Sequence, residues 1–375
     1  MRTLLVLVTL LLIVLVFMYL RRRKNRDFSG GFKETDKAGT RIRALKYSLE
    51  STWDSRGIMK RFDPILISKT RGSTVDRVSY KTTPKEVFQE KYLFTNTPCL
   101  ITNMADDWKA MNTWSFDSFK KRFGNCKFSI SGIEACRLKY DYYYHYINTP
   151  KHRNDDIPLF IFDSTFANEG KKMRELLDEY TIPSWFDEDL FGCLEERERP
   201  NFRWLIMSTV GAGTSLHVDP VHTSAWNTLI SGKKRWVMFP PETFKSEMDF
   251  NSGVRGAEWF MDEYSTYDDL KHVDIIQNRG DTIFLPSGWW HVTVNLEDSI
   301  AITQNILTHN NFEKAREDVF RCIPKIYIEW IKRLNKKLKD DKKLTMKLGG
   351  RIRDTKTIED AGYDSDVYES ESDLE

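Results

Sequence analysis

Residues 201–240 read NFRWLIMSTVGAGTSLHVDPVHTSAWNTLISGKKRWVMFP, and residues 279–307 read RGDTIFLPSGWWHVTVNLEDSIAITQNIL. In both stretches, short runs of β-branched and aromatic residues alternate with turn residues, such as SGK at 231–233 and PSG at 286–288. The pattern predicts strands at 202–209, 225–230, 235–239, 282–285, 291–295 and 300–306. Many short strands in one compact region are typical of a jelly roll or barrel, so we expect a mainly β domain with its core at 201–307.

A His-x-Asp pair, His217 and Asp219, lies between the first two predicted strands. In extended backbone, residues two apart project from the same face, so this imidazole and carboxylate would point together into the barrel. The pair alone is weak evidence, because a chain with seven histidines produces such a short motif easily by chance. His291, which opens a later predicted strand, adds a second imidazole. Two histidines and one carboxylate form the facial triad of non-haem iron(II) oxygenases, so the sequence predicts these three residues as iron ligands.

Zinc is the alternative metal, because two histidines and an acid also build catalytic zinc sites. The sequence contains no His-Glu-x-x-His motif and no glutamate beside the ligands that would act as a general base. Iron is therefore favoured. For His291 taken alone, a structural histidine at the start of a strand remains the alternative interpretation.

An oxygenase of this type must also bind a dicarboxylate co-substrate, which requires a cation and hydroxyl groups inside the barrel. Lys234 begins a predicted strand, and its ammonium would pair with the distal carboxylate of 2-oxoglutarate if the side chain points inward. Thr303 and Asn305 share one face of the last predicted strand, which fits a polar, ligand-lined interior. The alternatives are a solvated turn lysine and a solvent-facing edge strand.

Several segments together are similar to JmjC-domain oxygenases: GTSLHVDP at 213–220, TSAWNTLISGKKRW at 223–236, PSGWWH at 286–291 and ITQN at 302–305. PLFIFDS at 158–164 and FRW at 202–204 resemble the branch of nuclear lysyl hydroxylases and arginine demethylases that is also called phosphatidylserine-receptor-like. The similarity extends from about residue 48 to about residue 331. One departure lies in the pocket, where the branch has a tyrosine and this chain has Phe160.

The resemblance implies a double-stranded β-helix, the cupin-like JmjC barrel, with iron(II) bound by His217, Asp219 and His291. It also implies that 2-oxoglutarate and O₂ are co-substrates. The residues that it assigns to 2-oxoglutarate are Asn227, Lys234 and Thr303, with Thr214 and Asn305 close by. His222 matches no ligand of the family, and we expect it to be structural.

Outside the barrel, we expect an N-terminal helical and β extension that completes a domain at 48–310. Examples are a helix capped near Thr83 with Pro84 at its first position, and a short helix beginning near Trp114. Apolar residues at helical spacing predict C-terminal helices at 311–347, kinked at Pro324, which are a candidate surface for a homodimer. The last segment, 348–375, is acidic and predicted to be disordered.

Residues 1–3 precede an apolar run at 4–20, which is long enough to be a transmembrane anchor. A cleaved signal peptide is the alternative, but a basic tether at 21–47 follows the run in place of a small-residue cleavage site. The basic residues just after the run predict a catalytic domain on the cytoplasmic side. The lumen of the endoplasmic reticulum and the nucleus are the alternative locations.

The five cysteines are scattered, which argues against a disulfide framework or a structural zinc site. A net charge of +2 argues against a dedicated nucleic-acid binder. We therefore expect a protein or peptide substrate and hydroxylation of a side chain, with lysine favoured by the resemblance. N-methyl demethylation of histone or arginine residues is the alternative reaction. A non-catalytic binding scaffold is the alternative from a different class.

Overall fold

The computed structural model describes residues 38–42, 44–45, 56–131, 133–150, 155–244, 255–350 and 352. The predicted anchor at 4–20, most of the tether and nearly all of the acidic segment at 348–375 lie outside these residues. The chain divides into a first unit, residues 1–49, and a second unit, residues 50–375. In the first unit the described residues are helical, and all the strands and predicted site residues belong to the second unit.

The strands form two sheets. In chain order they are β1 (Arg77–Ser79), β2 (Cys99–Thr102), β3 (Lys127–Ile130), β4 (Ile133–Lys139), β5 (Ile161–Asp163), β6 (Arg203–Ser208), β7 (Ser224–Ser231), β8 (Lys233–Phe239), β9 (Val273–Asn278), β10 (Thr282–Leu285), β11 (Trp290–Asn295) and β12 (Ser299–Ile306). The larger sheet has the order β1-β2-β10-β7-β12-β6-β5-β3-β4, and the smaller one has the order β11-β8-β9. All six predicted strands are confirmed, to within one or two residues at each end.

Strand β12 lies at the centre of the larger sheet. It pairs antiparallel with β6 on one side and with β7 on the other, and every residue from Ser299 to Ile306 is buried. The solvent-facing edge strand considered for Thr303 and Asn305 is therefore wrong. Because β12 has neighbours on both sides and no wet face, its polar side chains can only point into the protein interior.

The smaller sheet places two adjacent cations on opposite faces of β8. Lys234 and Arg235 are both buried, and successive strand residues point to opposite sides. Arg235 pairs with Asp274 of β9 through contacts of 2.8 and 2.5 Å, which ties β8 to β9. The lysine on the other face is left to point toward the larger sheet. The solvated turn lysine considered for Lys234 is wrong.

The helices surround the sheets. In chain order they are α1 (Ile58–Arg61), α2 (Pro64–Ile67), α3 (Lys85–Phe88), α4 (Ala110–Thr113), α5 (Phe116–Phe123), α6 (Tyr140–Asn148), α7 (Gly256–Glu258), α8 (Phe312–Cys322), α9 (Pro324–Asp340) and α10 (Lys342–Lys347). Pro84 is the residue before α3 rather than its first residue, and it makes no side-chain cap. In α5, Ser115 and Ser118 form a reciprocal capping box.

The C-terminal segment forms separate helices rather than one kinked helix. Between α8 and α9, Ile323 adopts φ −142° and ψ 62°, and Pro324 is the first residue of α9. A proline fits a first helical position because no intrahelical partner is lost there. The apolar face of α9, with Trp330 at its centre, packs into a cluster of the same chain that includes Phe191 and Val319. No helix among the described residues is long and apolar enough to cross a membrane.

Candidate metal centre and its pocket

The three predicted ligands meet at one point between the sheets. His217 and His291 exchange both backbone hydrogen bonds, with N···O distances of 3.0 and 2.8 Å, so their side chains leave the backbone in the same direction. Asp219 Oδ1 lies 4.0 Å from His217 Nε2 and 3.8 Å from His291 Nε2. One potential ligand atom of each residue lies within 4.8 Å of the other two, which is the spacing that a shared metal ion requires.

Hydrogen bonds around the triad orient the donor atoms. Nδ1 of His217 lies 2.7 Å from the carbonyl of Ser215, and Nδ1 of His291 lies 3.2 Å from that of Trp289. A backbone carbonyl can only accept, so each Nδ1 carries the proton and each Nε2 presents a lone pair. Asn305 donates to Asp219 Oδ2 at 3.3 Å, which leaves Oδ1 directed at the histidines. The donor set therefore fits a divalent metal.

The electrostatics of the triad favour a cation. Burial raises the pKa of the Asp219 carboxyl, and burial together with the neighbouring His217 lowers the pKa of His291. Both shifts disfavour the charged forms of these two side chains in the protein alone. A bound divalent cation would reverse the balance for the carboxylate and would use both neutral imidazoles as ligands.

A strained turn follows Asp219 immediately. Val221 and His222 have φ of 50° and 51°, in the left-handed region that a β-branched residue such as valine rarely adopts. Ser287 donates to the carbonyl of His222 at 2.8 Å, and His222 Nε2 lies 3.3 Å from Asp318 of α8. These contacts hold the turn, and they agree with the structural role expected for His222. We call residues 213–222 the ligand segment.

The ligand segment begins with a glycine that has no room for a side chain. A Cβ at Gly213 would lie 1.9 Å from the carbonyl oxygen of Thr293 in β11 and 2.8 Å from Cα of Gly256. The close approach of this backbone to β11 brings His217 against His291. A glycine is required here because any larger residue would push the two backbones apart.

The predicted co-substrate residues line the same cavity of about 290 Å³ as the triad. Asn227 on β7, Lys234 at the start of β8 and Thr303 on β12 come from three strands, and we call them the sheet floor. Asn227 lies directly opposite Thr303 in the β7–β12 register, and Thr303 donates to the carbonyl of Trp226 at 2.9 Å. Thr214 and Asn305 also line the cavity, so it contains every predicted site residue.

Lys234 is the cation of this floor. Its side chain is buried, and among the described residues it makes no hydrogen bond or ion pair. Burial lowers the pKa of its ammonium to about 8. A buried cation without a partner is costly, so this position is suited to an anionic ligand that enters from the cavity.

Aromatic rings form a wall beside the sheet floor, because Trp204 of β6 lies directly opposite Thr303 in the β6–β12 register. The ring centroids of Phe160 and Phe162 lie 6.2 Å apart, and those of Phe162 and Trp204 lie 5.9 Å apart. All three rings line the cavity. A second cavity of about 290 Å³ shares Phe160, Phe162 and His217 with the first, and exposed Arg255 lines its rim. Of the two histidines, His217 is 36% exposed and His291 is 6% exposed, so the second cavity approaches the triad from the side of His217.

Sequence reasoning missed some lining residues that strand periodicity could have found. Thr293 follows His291 by two residues on β11, and Trp236 follows Lys234 by two residues on β8, so each shares a face with a predicted site residue. Asn295 continues the β11 series and donates to Ser208 Oγ at 2.6 Å. In the aromatic wall, the family resemblance had already placed Phe160 in the pocket. Strand periodicity gave no signal for Phe162 and Trp204, because their strands carry no predicted ligand.

Comparisons with known proteins identify the family of this chain. Residues 84–312 match a family described as a cupin-like domain. The chain is 33% identical over 297 residues to the bifunctional arginine demethylase and lysyl-hydroxylase psr-1 of Caenorhabditis elegans, which covers 75% of this chain and 72% of that protein. It is 38% identical over 241 residues to the arginine-specific demethylase JMJ22 of Arabidopsis thaliana, covering 62% and 46% of the two chains.

A third relative is named for its cofactors. The 2-oxoglutarate and iron-dependent oxygenase JMJD4 of Gallus gallus is 26% identical over 248 residues, covering 58% of this chain and 56% of that protein. The family match at residues 84–312 contains the strands β2 to β12. On this basis the chain belongs to the cupin-like JmjC family of iron- and 2-oxoglutarate-dependent oxygenases.

Proposed function

We propose that His217 Nε2, His291 Nε2 and Asp219 Oδ1 bind iron(II) and leave its remaining coordination positions open. The observation that carries the proposal is the convergence of three donor atoms within 4.8 Å, with each Nδ1 committed to a backbone carbonyl. Iron(II), with O₂ and 2-oxoglutarate, supplies the oxidising power that hydroxylates an unactivated C–H bond, and the co-products are succinate and CO₂.

The sheet floor binds 2-oxoglutarate in this proposal. Lys234 pairs with the distal carboxylate, and Asn227 and Thr303 lie on the neighbouring strands to bind the remaining oxygens. Asn305 has a different task, because its amide already donates to Asp219 and, at 2.8 Å, to Thr223. It orients the carboxylate ligand rather than the co-substrate.

The substrate is a protein side chain that enters through the second cavity. Phe160, Phe162 and Trp204 offer an apolar wall to the hydrocarbon stem of a long side chain, and their faces would attract a cationic end. The wall also excludes water from the reacting carbon. A lysyl side chain has both properties, and the name of the C. elegans relative includes a lysyl-hydroxylase activity.

Arginine N-demethylation is the second candidate. The name of the same relative includes arginine demethylation, and an N-methylarginine would pack its stem against the same wall with its methyl group toward the metal. The two reactions use one site and differ only in which carbon is held over the metal. A non-catalytic scaffold is the third candidate, and the intact triad and Lys234 argue against it.

Mass spectrometry of peptides incubated with the enzyme, iron(II) and 2-oxoglutarate separates these candidates. Lysyl hydroxylation adds one oxygen to a lysine-containing peptide, whereas demethylation removes one methylene unit from a methylarginine peptide. Succinate release measured in parallel reports whether the enzyme is active at all. A properly folded, iron-loaded protein that releases no succinate with any peptide would leave only the scaffold.

We also propose that residues 4–20 anchor the protein in a membrane with the barrel in the cytoplasm, and that residues 48–310 form the catalytic domain. The support is the apolar run and the basic residues that follow it. Protease treatment of sealed microsomes would degrade a cytoplasmic barrel and spare a lumenal one. A homodimer through the C-terminal helices stays a prediction, which light scattering of the purified chain tests directly.

A further inference from the structure

The exposed side of α9 carries a row of lysines. Lys325, Lys332, Lys336 and Lys339 are all exposed. On a helix with 3.6 residues per turn they project within about 60° of one another. Tyr327, Trp330, Leu334 and Leu338 are buried on the other side of the same helix. We call the four lysines the lysine face.

Few carboxylates compensate this charge. Residues 324–347 contain nine basic residues and three acidic ones. Lys332 Nζ lies 3.7 Å from Glu329, whereas Lys336 and Lys339 make no ion pair with the residues that the structure describes. The helix therefore presents a positive surface to the solvent.

The acidic end of the chain begins beside this surface. Asn335, between Lys332 and Lys336, donates to the carbonyl of Ile352 at 3.0 Å and accepts from its N–H at 3.1 Å. The side chain of Ile352 is buried in the same cluster as Trp330. The backbone is thus fixed at residue 352 within one turn of the lysine face. Residues 354–375, which we call the acidic tail, contain nine acidic residues and one lysine.

We propose that the acidic tail docks on the lysine face of the same chain and thereby covers a surface that would otherwise attract anionic partners. The face from Lys339 to Lys325 is about 21 Å long at 1.5 Å per helical residue. An extended chain covers that distance in about seven residues, so the tail is long enough. Each exposed ion pair is weak, but a tethered segment faces its target at an effective concentration on the order of millimolar.

Zero-length carbodiimide cross-linking of the full chain tests where the tail lies. At low salt we expect cross-links from tail carboxylates to Lys332, Lys336 and Lys339, and their yield should fall several-fold in about 1 M salt, where the screening length is about 3 Å. Tail cross-links spread equally over remote exposed lysines such as Lys109 and Lys121, or none at all, would overturn the proposal.

Binding of the full chain to heparin, used as a polyanion probe, tests whether the tail covers the face. Replacing the tail acids by their amides should raise the salt concentration needed for elution. The same replacement should have little effect when Lys332, Lys336 and Lys339 are all changed to glutamate. A control triple change at Lys69, Lys109 and Lys121 should preserve the effect. Equal shifts in both triple variants would mean that the tail acts through net charge alone and does not dock.

Discussion

The ligand segment and the sheet floor face each other across one cavity, and they are built in different ways. Asn227, Lys234 and Thr303 stand on regular strands whose neighbours fix their register and burial. His217 and Asp219 stand on irregular backbone that bonds to β11 through an isolated bridge at His217 and through Thr214, and that ends in a left-handed turn. The floor is therefore fixed by the sheet, whereas the ligand segment depends on a few specific contacts.

This difference fits the tasks that we propose for the two regions. The co-substrate has two charged ends and needs a fixed distance between its cation and the metal, which a sheet provides. The metal must be reached by substrate, so one histidine has to lie near the opening, and His217 is far more exposed than His291. Single substitutions can therefore perturb the ligand segment or the sheet floor separately.

Removal of a ligand should have the largest effect. We expect His217→Ala and Asp219→Ala each to abolish succinate formation from 2-oxoglutarate, because two remaining ligands hold iron(II) poorly. Circular dichroism and thermal unfolding should stay close to those of the parent, since neither residue supports the core. His145→Ala, remote from the cavity, is the control. Normal turnover in either ligand variant would contradict the iron assignment.

Lys234→Ala breaks the sheet floor while the triad stays intact. The distal carboxylate of 2-oxoglutarate would lose its buried cation, a loss that typically costs about 3–5 kcal/mol. We expect the KM for 2-oxoglutarate to rise roughly a hundredfold or more, with iron binding unchanged by titration. Lys233→Ala is the matched control, because that side chain is 39% exposed and pairs with Glu297 at the surface. A KM that hardly moves would assign the carboxylate to another residue.

Gly213→Ala tests the close approach of the ligand segment to β11. The added Cβ meets backbone on both sides, so the segment must shift, and we expect destabilisation of about 1–3 kcal/mol together with weaker iron binding. Thermal unfolding and iron titration measure the two effects. Gly192→Ala is the control, since nothing lies within 4 Å of the Cβ it would add. Equal unfolding temperatures for the two variants would show that the approach of Gly213 to β11 does not limit the stability of the domain.

Much of the barrel could be predicted from the sequence because its central strands are apolar and separated by turns. The strands β7, β8, β10, β11 and β12 follow this rule, and residues on one strand face were grouped correctly. Strand β9 was missed because buried Asp274 and Gln277 interrupt its apolar pattern. Each is buried only because a distant partner, Arg235 or Trp236, satisfies it.

For the ligand segment, the sequence predicted extended backbone at His217 and Asp219, but not the turn that follows it. The structure has an isolated bridge at His217 and extended backbone at Asp219, and then a turn in which Val221 has a positive φ. Local preference argues against that conformation for valine. Packing of Val221 against the C-terminal cluster and the hydrogen bond from Ser287 to His222 offset the strain. Contacts so distant in sequence leave no local signal.

The pH dependence of co-substrate binding should separate the two regions further. Burial lowers the pKa of Lys234 to about 8, so its ammonium is present at pH 7 and is lost as the pH rises through that value. We expect the KM for 2-oxoglutarate to be constant near pH 7 and to rise about tenfold by pH 9. Steady-state kinetics at fixed iron concentration would measure it. The rise should be absent in Lys234→Ala, and a rise that persists there would come from a different group.

Phe160→Tyr should have the smallest effect on the KM for 2-oxoglutarate. This substitution tests whether the ring of Phe160 faces the sheet floor or the substrate. The family branch that this sequence resembles has a tyrosine at this position, and Phe160 lines both cavities. If its ring edge faces the sheet floor, the new hydroxyl gains a hydrogen bond to 2-oxoglutarate worth about 0.5–1.5 kcal/mol, and the KM for 2-oxoglutarate falls by roughly two- to tenfold. Phe162→Tyr, at a second half-buried ring that lines the same two cavities, is the matched control, and we expect it to leave that KM unchanged. An unchanged KM in Phe160→Tyr with an altered peptide preference would instead assign Phe160 to substrate recognition alone.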